Sequence, residues 1–361
     1  MEFNIRITKT QNSRLQEVDF DNIPFGRVFS DHMFVMDYKD GVWTDYRIEP
    51  FGPFSIHPAA MALHYGQAIF EGMKASKSVD GTPLFFRPEL HARRINASAS
   101  RMCMPEIPEN LFLEALHTLI AVDSNWIPPQ EGSALYIRPY MFANDEFIGV
   151  KPSKNYRFII FTGPVGPYYP KPVSLIAEET YVRCSVRGGT GAAKAAGNYA
   201  ASLLPAKLAN EKGYDQVMWL DSDEFKYIQE VGTMNIFFVI DGEVITPAIN
   251  GGILEGITRD SIIQVLRGAG YTVTERDLSI DEVMEAYDKG VLQETFGSGT
   301  AAVVAHVSKI SIKGKEMELP PLEDRKVGAF AKAYIDGLRA GQREDTHKWL
   351  VPVKALEVAS M

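Results

Sequence analysis

Gly188-Gly-Thr-Gly-Ala-Ala-Lys-Ala-Ala-Gly-Asn-Tyr199 sets one lysine, Lys194, among residues with almost no side chain. Glycines permit turns and close backbone approach that other residues resist. The amine is then the one reactive group for several positions on either side. Desolvated in such a place, a lysine gives up its proton more readily, and its free amine attacks a carbonyl. Read alone, the segment is better described as a flexible surface loop with a solvated lysine. It does not fit the phosphate loop of nucleotide hydrolases, which needs Gly-Lys-Ser/Thr. Ala193 precedes Lys194 and Ala195 follows it, so the required glycine and the metal-holding hydroxyl are both missing.

The surrounding chain has the make-up of a globular protein. Its 361 residues suggest two domains, and 45% hydrophobic with 11% aromatic residues supply a core and argue against disorder. A net charge of −9 disfavours nucleic acid and anionic membranes as partners. Cys103 and Cys184 form no CxxC pair and no disulfide framework, which suggests a reducing compartment. The first ten residues lack the apolar core of a signal peptide, and no segment reaches bilayer-spanning length. A soluble cytoplasmic protein is the expectation. The seven histidines, His64 and His91 among them, show no metal-ligand spacing, so no metal site is expected.

Alternation of strand and helix patterns reads as α+β. Pro88 opens a helix with Leu90, Ile95, Ala99 and Met102 on one face, and Asn110 is placed to cap a second. Leu84–Phe86, Ala134–Ile137 and Tyr156–Phe161 read as strands. The run Gly163-Pro-Val-Gly-Pro-Tyr-Tyr-Pro-Lys-Pro172 holds four prolines and two glycines, composition that continues neither a helix nor a central strand. The expected division is therefore a small N-terminal domain over 1–163, a linker over 164–173 packed by Tyr168 and Tyr169, and a larger domain over 174–361 carrying Lys194. Within the larger domain a helix is expected over 198–211, ended by Gly213. Strands are expected at 216–220, 235–240 and 291–296, a hairpin at Asp241-Gly242, and helices at 258–268 and 327–338.

Three segments suit an anion: Gly256-Ile257-Thr258 opening a helix, the glycine turn Gly297-Ser-Gly-Thr-Ala301, and Arg94 as a fixed cation. Each is also how an ordinary capped helix, turn or surface arginine looks. Glu230, between two strand-like runs, would need a cationic partner if buried, and a protonated ring nitrogen would serve. One ligand with a phosphate, a carbonyl and a basic ring nitrogen would satisfy all of them. Pyridoxal 5′-phosphate has the three.

On these residues the chain resembles the branched-chain amino acid aminotransferases of the fold type IV pyridoxal-phosphate enzymes. The resemblance runs from about Phe54 to Ala331. It rests on His64-Tyr-Gly-Gln-Ala-Ile-Phe-Glu-Gly72, Phe86-Arg-Pro88 with Arg94, Tyr136-Ile-Arg-Pro139, Lys194-Ala-Ala-Gly-Asn-Tyr199, Glu230-Val-Gly-Thr-Met-Asn235, Leu254-Glu-Gly-Ile-Thr-Arg259 and Phe296-Gly-Ser-Gly-Thr-Ala301. It implies a two-domain α+β fold similar to that of D-amino acid aminotransferase, and the cofactor pyridoxal 5′-phosphate. Lys194 matches the lysine that joins the cofactor. Tyr199 matches the hydrogen-bond donor to its phenolic oxygen, and Glu230 the partner of its ring nitrogen. Arg94, Ile257, Thr258 and Thr300 match the phosphate cup. Thr300 and Ala301 match the turn that receives the substrate α-carboxylate. Tyr65, Phe70 and Tyr136 match walls of the side-chain pocket, and Arg138 an arginine for the distal carboxylate of glutamate.

The implied reaction is transamination of L-leucine, L-isoleucine and L-valine with 2-oxoglutarate, in a homodimer to whose neighbouring pocket Phe147-Ile-Gly-Val150 would reach. Ala302-Val-Val-Ala305 stands where some eukaryotic members carry a redox CxxC pair. Other enzymes of the same fold type, a D-amino acid aminotransferase or an aminodeoxychorismate lyase, would reuse Lys194 and Glu230. A noncatalytic binder of a phosphometabolite would keep Arg94, Thr258 and Thr300 without needing Lys194.

Overall fold

A computed structural model describes residues 3–166, 171–185 and 188–356. The chain forms two compact units that are discontinuous in sequence. The first comprises Met1–Pro167, Ala193–Ala196 and Gly337–Met361, the second Tyr168–Ala192 and Gly197–Asp336. Lys194 thus belongs to the first unit. So does the C-terminal stretch, because the strand Leu350–Pro352 pairs antiparallel with Pro83–Phe86. The expectation that both lie in the larger C-terminal domain differs from this grouping. Strand pairing reaches far along the chain, and composition does not reveal it. Tyr168 and Tyr169, expected to pack the linker, lie outside the described residues.

The first unit is built on a nine-stranded, mostly antiparallel sheet, with Tyr156–Val165 between His32–Lys39 and Ala134–Ala143. Alternate side chains of that strand serve opposite faces. Phe158 and Ile160 pack with Ala92, Ile95, Ala99, Leu111, Phe112 and Leu116 of two helices. Ile159 packs with Met33, Val35 and Phe142. The helix Pro88–Arg101 starts with proline at its first turn, as expected, after Arg87 in a left-handed conformation (φ 51°). The second helix runs Glu109–Val122 and is preceded by Pro108, so Asn110 lies inside it and does not cap it.

The strand Tyr156–Val165 overturns one expectation. It continues through Gly163 and Pro164, which pair with Tyr136 and Leu135. Pairing with His32–Lys39 has already ended at Phe161, so Pro164 needs no hydrogen-bond partner on that side. A side chain at position 163 would collide with the Val28 carbonyl oxygen, which explains the glycine.

The second unit holds another nine-stranded sheet, with Val173–Ala177, Val303–Ile312, Leu292–Gly299 and Asn235–Ile240 at its centre. The Asp241-Gly242 hairpin is present, with both residues at positive φ (47° and 80°). Two expectations change. The helix over 198–211 is instead two, Ala196–Ala200 and Leu203–Glu211. Pro205 has no N–H to continue the ladder from the first into the second. The strand Leu292–Gly299 runs through Gly297 and Ser298, leaving the turn at Thr300–Ala302. A Cβ at 297 would strike Met234 and crowd Val231, which explains the glycine at that strand position. Together the two sheets and their helices bear out the α+β class.

Candidate active site

In the first unit Lys194 is held by its main chain. Lys194 N–H donates to the Ser98 hydroxyl at 2.9 Å, and its carbonyl accepts from Phe70 N–H at 3.0 Å. Ala195 forms an isolated bridge with Ile69. The Lys194 Nζ stands 5.0 Å from the centroid of the Phe70 ring. The Arg138 guanidinium lies 4.8 Å from the same centroid and 5.3 Å from that of Tyr136. Arg138 Nη2 donates to the Tyr136 hydroxyl at 3.0 Å, while its buried Nε has no partner among the described residues. Gly72 makes room for this pair, since a Cβ there would collide with the Tyr136 hydroxyl.

Arg94 is fixed from the Pro88–Arg101 helix. Its Nε donates to Glu71 Oε1 at 2.7 Å and its Nη2 to Oε2 at 2.8 Å. His91 Nδ1 meets Glu71 Oε2 at 2.7 Å. Glu71 is 0% exposed. Burial opposes its charge, but the Arg94 guanidinium and the His91 hydrogen bond outweigh that and hold the carboxyl well below its ordinary range. Burial lowers the His91 proton affinity, against the pull of Glu71. Of the site residues expected in this unit, Lys194, Phe70, Tyr136 and Arg138 converge. Tyr65, at the end of the short helix Met61–Tyr65, is 40% exposed, and its ring stands 6.2 Å from that of His64.

In the second unit Glu230 is 4% exposed on the strand Ile228–Val231 and forms an ion pair with the buried Arg183. Burial disfavours the Arg183 charge, but Glu230 more than restores it. Glu230 Oε1 also accepts from Asn235 Nδ2 at 3.3 Å and from Leu254 N–H at 3.4 Å. Asn235 links this acid to the helix Ile257–Gly268. That helix has Gly256 at its N-cap and no side-chain cap bond, and a Cβ on Gly256 would strike the Asn235 amide oxygen. Thr258 therefore sits in the first turn and not at the cap, and the leading N–H groups of Ile257 and Thr258 lack helical carbonyl partners. Ser298 pairs in register with Asn235, and its buried hydroxyl has no hydrogen-bond partner among the described residues. Thr300 and Ala301 form the turn that follows. Tyr199 lies on the short helix Ala196–Ala200.

These groups suit pyridoxal 5′-phosphate. An uncapped helix start and an orphaned Ser298 hydroxyl match an anionic oxygen acceptor, and a buried anionic Glu230 matches a protonated ring nitrogen. Among the described residues no group of His, Cys, Asp and Glu is arranged to hold a metal, and no helix is long and apolar enough to cross a membrane.

The family model for Amino-transferase class IV matches residues 68–310. The chain belongs to the class IV aminotransferases. It is 47% identical over 356 residues to branched-chain-amino-acid aminotransferase 2 of Bacillus subtilis (strain 168), covering 98% of both chains. The branched-chain amino acid aminotransferase from Escherichia coli superposes with a TM-score of 0.72 at 29% identity, covering 90% of this chain and 99% of that one. A third relative is a branched-chain amino acid aminotransferase of T.th. complexed with N-(5′-phosphopyridoxyl)-L-glutamate. It has a TM-score of 0.70 and 27% identity, with 88% of this chain and 98% of that one covered. This aminotransferase therefore has the fold type IV architecture that its motifs imply.

Sequence reasoning missed Glu71, Ser98, Arg183, Asn235 and Ser298. Two of them left a signal. Glu71 is a lone acid closing the apolar run Ala68-Ile-Phe, and Ser98 is a polar residue on the buried stripe His91, Ala92, Ile95, Ala99. Arg183 left none, because its partner is remote along the chain.

Proposed function

We propose that this enzyme transfers the amino group of L-leucine, L-isoleucine and L-valine to 2-oxoglutarate with pyridoxal 5′-phosphate as cofactor. The observation that carries the reading is the placement of the Lys194 amine and the Arg138 guanidinium over one Phe70 ring. A nucleophilic amine and a carboxylate-binding cation flank an apolar face. That combination suits both an aliphatic side chain and the distal carboxylate of glutamate. The family and the 47% identical relative support it.

Lys194, Arg94, Tyr199, Glu230, Ile257, Thr258 and Thr300 are the residues this reading assigns to the cofactor. Bound there, pyridoxal 5′-phosphate supplies an aldehyde for the amino group and a ring that takes up the electron pair left at the substrate Cα. The Lys194 Nζ would accept the substrate Cα proton and hold it for return. Glu230, paired with Arg183, would hold a protonated ring nitrogen. Thr300 and Ala301 offer N–H groups to the α-carboxylate. Phe70 and Tyr136, with Tyr65, enclose the side chain and exclude water. Arg138 Nε, which lacks a partner among the described residues, donates to the distal carboxylate of glutamate or 2-oxoglutarate. Leucine, isoleucine and valine are all used, because one methylene discriminates only about 10–200-fold.

We further infer a cytoplasmic homodimer. The segment Phe147–Val150 presents apolar side chains, with Val150 86% exposed, and a second copy would cover them.

The test is a kinetic panel on the purified holoenzyme: L-leucine, L-isoleucine, L-valine, D-alanine and aminodeoxychorismate, each with 2-oxoglutarate. Keto acid is expected from the three branched L-amino acids. Turnover of D-alanine or aminodeoxychorismate alone would refute the reading.

A further inference from the structure

Glu71 is the most completely enclosed acid described in the first unit, and the reaction outlined above gives it no task. Its surroundings are unusually constrained. The two carboxylate oxygens accept from Arg94 Nε and Nη2, from His91 Nδ1, and from Gly72 N–H at 3.2 Å. Its own N–H donates to the Pro139 carbonyl at 2.7 Å. The acid is therefore immobile at both ends. A neutral His91 that donates from Nδ1 carries its proton there, so the ring acts as a fixed donor.

The helix Pro88–Arg101 supplies the other half of the arrangement. His91, Arg94 and Ser98 are spaced three and four residues apart, so they line one face. The first two bind Glu71, and the third binds the main chain of Lys194. Phe70, the neighbour of Glu71, binds the Lys194 carbonyl. The strand Ala68–Phe70, Glu71 directly after it, and one helix face thus fix both Lys194 and the arginine assigned to the phosphate.

We propose that Glu71 is a positioning residue for the phosphate subsite: with His91 behind it, it clamps the Nε–Nη2 edge of Arg94 and so sets the orientation in which the guanidinium meets a phosphate monoester. This rests on the cofactor reading above. A planar guanidinium binds phosphate through a directed fork, so its angle decides how many hydrogen bonds form. A buried carboxylate so near the anion is repulsive by charge alone. Its presence is accounted for by the orientation it imposes.

The experiment compares equilibrium binding of pyridoxal 5′-phosphate and of pyridoxal, which lacks the phosphate, to the apoprotein by quenching of tryptophan fluorescence. Glu71→Asp keeps the charge and withdraws it by one methylene. It is expected to weaken the phosphorylated ligand about tenfold or more and pyridoxal less than about twofold. Glu71→Gln, which is isosteric, is expected to do the same, although removal of a negative charge alone would tighten phosphate binding. Arg94→Lys abolishes the fork, and adding Glu71→Asp to it is expected to cost nothing more. Equal loss for both ligands would assign Glu71 a structural role, and unchanged or tighter phosphate binding in both Glu71 variants would also overturn the proposal. Should Glu71→Asp not fold, Glu71→Gln carries the same comparison. A wild type that binds pyridoxal 5′-phosphate no better than pyridoxal would overturn the cofactor reading itself, and this inference with it.

Discussion

The Ser98 hydroxyl accepts the main-chain N–H of Lys194 at 2.9 Å. It fixes Lys194, the proposed nucleophile, through its backbone and not through its side chain. Ser98 is fully buried, so water does not stand in for that bond if the hydroxyl is removed.

Ser98→Ala leaves the Lys194 N–H unsatisfied. A loss of about 1–2 kcal/mol in unfolding free energy is expected. Covalent uptake of the cofactor, followed by its visible absorption band, should slow in the same variant. A melting curve and an absorption time course like those of the wild type would count against this role.

Gly72→Ala drives a methyl group into the Tyr136 hydroxyl and displaces the Arg138 guanidinium bonded to it. The KM for 2-oxoglutarate should rise about ten- to a hundredfold. The KM for L-leucine, whose side chain needs no cation, should change much less. Measuring the two half-reactions separately makes the comparison.

Glu230→Gln strands Arg183 as an unpaired buried charge. The expected destabilisation is about 3–5 kcal/mol. Replacing both residues by apolar ones of similar volume should recover most of it, since the pair's desolvation is also removed. Urea unfolding of the single and double variants distinguishes this from loss of a mere surface pair, which would cost under about 1 kcal/mol.

Stability should fall at both ends of the pH range. His91 and Glu71 have folded proton affinities below their ordinary values of 6.5 and 4.5. The folded state therefore favours their unprotonated forms. That contribution is complete above pH 6.5 for His91 and above 4.5 for Glu71, and is lost as the pH falls through each toward the depressed folded value. Burial pushes the Tyr140 and Tyr156 phenols from 10.0 up to about 12, so their contribution is lost as the pH rises between those two values. Chemical denaturation across pH should show an acid limb beginning near 6.5 that His91→Asn flattens.

The order of motifs, the lysine in its glycine and alanine setting, the α+β class and the position of most helices and strands were legible in the chain. Local rules govern them: proline at the first turn of a helix, alternation in Tyr156–Phe161, an Asp-Gly hairpin. The errors arose where distant chain segments set the outcome. Pro164 stays in a strand because its neighbour strand stops at Phe161. Gly297 belongs to a strand because it pairs with Ile236 on one side and Ala305 on the other.

The candidate roles of Lys194 and Glu230 and a helix over 258–268 were readable in the sequence, because each rests on residue type and immediate neighbours; the structure starts that helix at Ile257. Only the tertiary structure decided that Glu71 holds Arg94, that Arg183 balances Glu230, and that Ser98 anchors Lys194. Each of those pairs brings together residues far apart in the chain, and a buried polar group takes whatever partner the fold delivers within hydrogen-bond reach.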